Sequence, residues 1–288
     1  MDDLKILAAQ SLLAQRAPGR VFARLRDAEF KVFSQFGDDG IIQYLIARLA
    51  LGPEWQRFVE FGVEEYSEAN TRFLLLHDNW SGLVMDGSAD SMAALRRTSL
   101  CWRHELTAVS AFITRENING LLAEHGFLGR LGLLSIDIDG NDYWVWEAIE
   151  GVDAAIVIIE YNSVFGGRHA VSVPYDPAFQ RLQAHSSALY WGASLGALAY
   201  ASERKGYILA GCNSAGNNAY FIRRDLAAIA GLTALSVEEA YVASKFRESR
   251  DPAGALTFLT GPARAHAIAG QTVVEVTTGR SVRLGDLP

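Results

Sequence analysis

Four short apolar runs, at residues 57–63, 82–85, 131–138 and 154–161, constrain this chain more than any other feature. Each is four to eight residues long and ends in a polar turn, which is the pattern of a strand. Their interiors are continuously apolar rather than alternating, so both faces of the sheet must be covered. Helical periodicity fills the intervals at 68–77, 89–97, 114–125 and 143–149. A β-α-β-α rhythm of this kind calls for a mainly parallel sheet, and right-handed crossovers make it doubly wound. The expected fold class is α/β, with helices on both faces of a mostly parallel sheet.

The flanking segments follow from local signals. Residues 4–16 read as an N-terminal helix broken at Pro18-Gly19, and residues 41–49 as a helix ending near Gly52-Pro53. Ser67 and Thr114 are the expected caps of the helices that follow them, and residues 102–109 read as an exposed strand. Residues 163–190 carry Gly166-Gly167, Pro174 and Pro177 and interrupt the rhythm; irregular insertions of this length often cover a site. A helix at 192–205 precedes strands at 206–212 and 218–223, joined as a closing antiparallel hairpin through residues 213–217. A further helix is expected at 237–246. The organisation expected is an N-terminal helical segment at 1–56, a core at 57–226 carrying the 163–190 insertion, and a C-terminal extension at 227–288.

Composition narrows the function classes. The net charge of -7 gives no reason to expect nucleic acid or an anionic membrane surface as partner. The basic residues Arg16, Arg20, Arg24, Arg26 and Lys31 are interrupted by acids and read as a solvated face. Cys101 and Cys212 cannot form a disulfide framework and read as small core residues in strand-like contexts. No apolar run reaches membrane-spanning length, and no basic region precedes the first apolar stretch as in a signal peptide. A cytoplasmic protein is expected.

The strand ends carry the chemistry. In Leu134-Ser135-Ile136-Asp137-Ile138-Asp139-Gly140-Asn141-Asp142 an apolar strand stops in three acids. Residues two apart in a strand face the same way, so Asp137 and Asp139 should project together, with Gly140 allowing a tight turn and Asn141 or Asp142 capping the next helix. Open α/β sheets bind ligands at this edge. Co-facing carboxylates there suit a divalent cation or a general base, while the same residue types also serve as ordinary turns and caps. Glu160 or Asn162 on the adjacent strand could reach the same pocket. Glu60 and Gly62 lie in Phe58-Val59-Glu60-Phe61-Gly62-Val63, followed by Glu64, Glu65, Glu68, Asn70 and Thr71. The acids of this loop would repel a pyrophosphate, and no Gly-x-Gly-x-x-Gly is present, which argues against NAD and ATP. Asp86, in Met85-Asp86-Gly87-Ser88, stands where doubly wound folds bind ribose hydroxyls; Asp86 or Ser88 could equally cap the next helix. His185 and His169 lie in the insertion, and His185 is the better base candidate. Asn213, Ser214, Asn217 and Asn218 could bond a polar substrate or simply form the hairpin turn.

Taken together, these segments resemble the class I S-adenosylmethionine-dependent methyltransferases with their Rossmann-like fold, and most of all the FkbM-like branch. That branch carries Ile-Asp-Val-Glu-Gly-x-Glu where this chain has Asp137, Asp139 and Asp142. The resemblance spans roughly residues 34–226. It implies S-adenosylmethionine as cofactor, with contacts from Glu60, Gly62, Asn70, Thr71, Asp86, Gly87, Ser88 and Asp137. It implies that Asp137 lies where the methyl group faces the acceptor; with the residue reading above, Asp137, Asp139 and His185 are the expected catalytic residues. By analogy with sugar O-methyltransferases it implies Mg²⁺ or Mn²⁺ on Asp137, Asp139, Asp142 and Glu160. The first loop departs from the family in having Glu64, Glu65 and Tyr66 where glycines are usual. The expected activity is O-methylation of a hydroxylated small molecule or glycan in glycan or natural-product biosynthesis. A metal-dependent hydrolase or lyase on this scaffold and a non-catalytic glycan-binding relative are the alternatives. Homo-oligomerisation through the terminal segments stays open.

Overall fold

The computed structural model describes residues 2–17 and 19–287, so Pro18, at the expected helix break, lies outside the described residues. A seven-stranded sheet runs in the order β3-β2-β1-β4-β5-β8-β7. Its strands are β1 (Arg57–Phe61), β2 (Ser81–Asp86), β3 (Leu106–Ser110), β4 (Gly129–Ile136), β5 (Val152–Glu160), β7 (Tyr207–Cys212) and β8 (Asn218–Arg223). Strands β1 to β5 are parallel, and β8 is antiparallel to both β5 and β7. The expected α/β class, mostly parallel sheet and closing hairpin are therefore present.

Period-two alternation divides the core. Val59, Phe61, Leu83, Leu134 and Val157 face one side, against Ile118, Leu122, Val145, Trp146 and Leu198. Phe58, Val84, Leu133, Ile156 and Tyr220 face the other, against Ile41, Leu45, Leu74 and Leu95. The helices are α1 (Asp2–Ala14), α2 (Asp38–Arg48), α3 (Arg72–Leu76), α4 (Ala89–Arg96), α5 (Leu100–Arg103), α6 (Ile118–Glu124), α7 (Asp142–Ala148), α8 (Arg181–Ala184) and α9 (Leu195–Arg204), with α10 (Arg224–Ala230), α11 (Val237–Ala240) and α12 (Pro262–Ala267) near the C-terminus, and α2, α3, α4, α6, α7 and α9 supply the residues just named.

Several expected elements are shorter, for identifiable reasons. Helix α3 starts at Arg72 rather than Glu68, and Ser67 does not cap it. Glu64 and Tyr66 take left-handed backbone angles, and the Asn70 and Thr71 N–H groups donate to the Glu60 carboxylate instead of opening a helix. Thr114 and Asn117 bond each other reciprocally, so the helix there begins at Ile118. The segment expected as an exposed strand from Trp102 forms the helical turn α5, which holds half-buried Cys101, before β3 begins at Leu106. Helix α11 spans only Val237–Ala240, closed by a Ser236/Glu239 capping box.

The 163–190 insertion is tied to the C-terminal region. Its strand β6 (Val171–Ser172) joins β9 (Thr272–Glu275) and β10 (Arg280–Arg283) in an antiparallel sheet of order β10-β9-β6. Phe165, Val171, Val173, Leu189, Tyr190, Ile268 and Val273 form its own apolar cluster. Among the described residues, no helix is long and apolar enough to cross a membrane.

Candidate active site

The order of winding in the sheet reverses between β1 and β4, which run parallel and pair with each other while the strands that follow them lie on opposite sides. This switch point is where open α/β sheets leave a crevice beyond the strand ends. A cleft of about 780 Å³ occupies it, a volume suited to a small-molecule ligand. Nine carboxylate side chains line the cleft against two guanidiniums, Arg181 and Arg264.

At the β1 end, Gly62 has φ of +71°, and a Cβ there would sit 1.6 Å from the Asp137 carbonyl oxygen. Only glycine allows the first loop to abut β4 this closely. Glu60 points beneath the loop. It accepts from the Asn70 N–H at 2.8 Å, the Thr71 N–H at 3.0 Å and the Thr71 hydroxyl at 2.5 Å. Thr71 is buried away from the cleft, with its hydroxyl also bonded to Tyr66. Glu60 and Thr71 therefore shape the loop, and Asn70 reaches the cleft wall with its amide on the Ser135 hydroxyl at 3.1 Å.

Burial pushes the Glu60 carboxyl up to about 7, outweighing the three bonds it accepts. The folded protein thus holds this proton more tightly than the unfolded chain. The stabilisation is complete below the ordinary carboxyl range near 4.5 and is lost as pH rises through about 7. The gap corresponds to about 3 kcal/mol. Burial raises Asp38, Asp137, Asp142 and Glu160 in the same direction. Urea unfolding should therefore give a lower free energy at pH 8 than at pH 5, by about 2–3 kcal/mol from Glu60; a flat or rising profile would contradict it.

Asp86, at the end of β2, accepts from the Glu64 N–H at 2.8 Å and the Ser88 N–H at 2.7 Å. Each carboxylate oxygen keeps a further lone pair. The side chain is partly exposed, with Gly87 and Ser88 beside it in the cleft. The Ser88 hydroxyl accepts from the Ser91 N–H and caps α4, so the cap falls to Ser88 and Asp86 braces the loop. Phe112, after β3, lies 50% exposed on the cleft wall nearby.

The β4 end differs from the expectation of co-facing aspartates. The strand stops at Ile136, and Asp139 takes a left-handed φ of +54°. The left-handed position of this turn is thus Asp139 rather than Gly140. Gly140 instead lies against Phe179, whose ring a Cβ would meet at 2.3 Å. Asp139 swings out to pair with Arg181 at 2.8 Å, leaving its side chain 58% exposed. Asp142 is wholly buried and accepts from the Ile138 and Gly140 N–H groups, which pin the turn. Burial pushes it up to about 6. Asn141 takes the N-cap position without a side-chain cap bond.

Asp137 and Glu160 both line the cleft at the ends of β4 and β5, close enough for their charges to interact, and a shared proton would relieve that repulsion. Burial first, and then their mutual repulsion with Asp139 and Asp142, raises both well above the carboxylate range. Glu160 Oε2 is buried with no partner. The expected four-carboxylate metal set is consequently not assembled: Asp142 is spent on backbone N–H groups and Asp139 on Arg181. Among the described residues, no three His, Cys, Asp or Glu side chains are gathered so as to hold a metal ion.

His185 is also displaced from its expected role. Its Nδ1 bonds the Ser187 hydroxyl at 2.7 Å within the turn, and the residue is not part of the cleft lining. Asn217 and Asn218 do reach the cleft. Sequence reasoning missed the opposite wall, formed by Phe179, Arg181, Trp191, Phe246, Glu248 and Arg264. The Arg181 guanidinium lies 4.9 Å over Trp191 and donates to the Ala188 carbonyl, holding the insertion against the cleft. The Tyr161 hydroxyl donates to the Val242 carbonyl and the Tyr241 hydroxyl to the Ser163 carbonyl, which bring residues 241–248 alongside the end of β5. No local pattern announced these residues, apart from the aromatic content of the insertion.

No family model matches the chain, and no curated protein does either. Among solved structures it is similar to the N-terminal domain of EvdMO1 with SAH bound, at 14% identity and a TM-score of 0.43, covering 77% of this chain and 95% of that one. It is similar to the CurJ carbon methyltransferase at 10% identity and a TM-score of 0.42, covering 69% of this chain and 57% of that one. The O-methyltransferase from Bacillus cereus in complex with SAH gives 10% identity and a TM-score of 0.38, covering 77% of this chain and 89% of that one. Likenesses this distant leave function to the residues of the site.

Proposed function

We propose that the protein is an S-adenosylmethionine-dependent O-methyltransferase acting on a hydroxylated small molecule or glycan, of the FkbM-like kind. The observation that carries this reading is the acid-lined cleft at the β1/β4 switch point, with an incompletely bonded carboxylate, Asp86, at the end of β2. Excess carboxylates disfavour a polyphosphate and suit a ligand bearing a sulfonium and an ammonium group. The open lone pairs of Asp86 fit the two hydroxyls of a ribose, and exposed Phe112 offers a flat apolar face for a base. Glu60 and Gly62 hold the loop after β1 in place.

When bound, S-adenosylmethionine supplies a methyl group whose bond to sulfur breaks, the electron pair passing to sulfur, as an acceptor oxygen attacks. The chain's own work is to orient the two partners and accept a proton. With one proton shared between Asp137 and Glu160, the ionised member can take the acceptor's hydroxyl proton, leaving both carboxyls neutral. Their raised proton affinity strengthens them in that role. Trp191, Phe179 and Phe246 exclude water on the acceptor side.

Calorimetric titration with S-adenosylhomocysteine tests the reading. Wild type should bind, and Asp86→Ala should bind about 10- to 100-fold more weakly while circular dichroism stays native. A folded, cofactor-free wild type that takes up no S-adenosylhomocysteine would sink the proposal.

A further inference from the structure

The two cations of the cleft are unequal. Arg181 is matched by Asp139 at 2.8 Å and Glu248 at 3.9 Å. Arg264 has no carboxylate partner among the described residues, and its Nε is buried without any hydrogen-bond partner. Burial, and then the like charge of Arg181 in the same cleft, lower its proton affinity. A half-buried guanidinium left unpaired beside a second one is costly to the fold, because it surrenders hydration with no compensating anion. Such a group fits an anion that arrives with a ligand.

Its place says which ligand. Arg264 sits on α12, which packs against the turn at Ser163–Phe165 directly after β5. Asp86 and Phe112 follow β2 and β3, at the other end of the sheet order. The carboxyl pair Asp137 and Glu160 ends β4 and β5, between the two. Arg264 therefore stands beyond the reacting centre, on the side left for the acceptor.

We propose that the acceptor is a hydroxylated acid, whose carboxylate or phosphate pairs with Arg264 while a hydroxyl faces the Asp137–Glu160 pair. The inference rests on the methyltransferase reading. A planar guanidinium takes either anion through two parallel N–H bonds, so the shared chemistry is an oxyanion on a polyhydroxylated body. The aromatic side chains of Trp191 and Phe246 on the same wall offer that body an apolar surface.

The test uses the full chain saturated with S-adenosylhomocysteine and titrated with D-glucuronate, glucose 6-phosphate and D-glucose. At least one acid should bind more tightly than D-glucose, and which one does identifies the anion as carboxylate or phosphate. Arg264→Gln should lose about 30-fold or more of that affinity, and Arg264→Lys should recover part of it. S-adenosylhomocysteine affinity should stay within about twofold in both variants, which also reports that they fold. Acids that bind no better than D-glucose, or a parallel loss of S-adenosylhomocysteine binding in Arg264→Gln, would overturn the inference. Loss in parallel would mean that Arg264 serves the cofactor, leaving the methyltransferase reading intact. Failure of wild type to bind S-adenosylhomocysteine at all would remove that reading, and this inference with it.

Discussion

Asp38→Ala is expected to lower the free energy of unfolding by about 3–5 kcal/mol. Asp38 opens α2 and is wholly buried. Its carboxyl accepts from the Tyr220 hydroxyl and from the side-chain amides of Asn213 and Asn218. Alanine would strand these donors in the interior, at about 1–3 kcal/mol for each one left unbonded. It would also remove one tie between the N-terminal region and the closing hairpin, beside the bond from the Ser214 N–H to Glu29. Burial raises the Asp38 carboxyl above its usual range, so Asp38→Asn, a neutral acceptor of similar shape, should cost much less. Equilibrium urea unfolding of the three proteins checks this, and an alanine variant within about 1 kcal/mol of wild type would show that water or repacking satisfies the donors. The consequence reaches the site, because Asn217 and Asn218 line the cleft. The alanine variant should therefore also bind S-adenosylhomocysteine more weakly.

Asp137→Asn should slow methyl transfer by about 100- to 10,000-fold, the usual span for a lost general base. Affinity for S-adenosylhomocysteine should stay within several-fold. Glu160→Gln should fall in the same range, because the two carboxyls act on one proton and neither is a full base alone. Asp139→Asn should be milder than either, since Asp139 is exposed and engaged with Arg181. Transfer of a labelled methyl group into the acceptor, measured in single turnovers, separates these variants. A larger loss in Asp139→Asn than in Asp137→Asn would relocate the chemistry to the rim of the cleft.

The division between what was readable and what was not follows the range of the forces involved. Strand apolarity, turn chemistry and the acids that close each strand are local, so the doubly wound sheet and the places of Glu60, Gly62, Asp86, Asp137 and Glu160 at its ligand edge were visible in the chain. The same local rules misplaced Asp139 and Asp142. Spacing says which residues could share a face, but not that the strand stops at Ile136 or that backbone N–H groups take up the Asp142 carboxylate. Helix α3 shrank for a similar reason, since Glu60 lies ten and eleven residues from the N–H groups it captures.

The sequence by itself determined the doubly wound sheet, its closing hairpin and the acids at its strand ends, because each rests on patterns within one element or between neighbours in the chain. Only the tertiary structure decided which acids come together in the cleft, which are consumed by the backbone, and that Arg181 and Arg264 face them. Those outcomes depend on pairings such as Arg181 with Asp139, 42 residues apart, and Tyr220 with Asp38, 182 apart. Contacts of that range form only when the whole core has brought the elements together, and no periodicity along the chain encodes them.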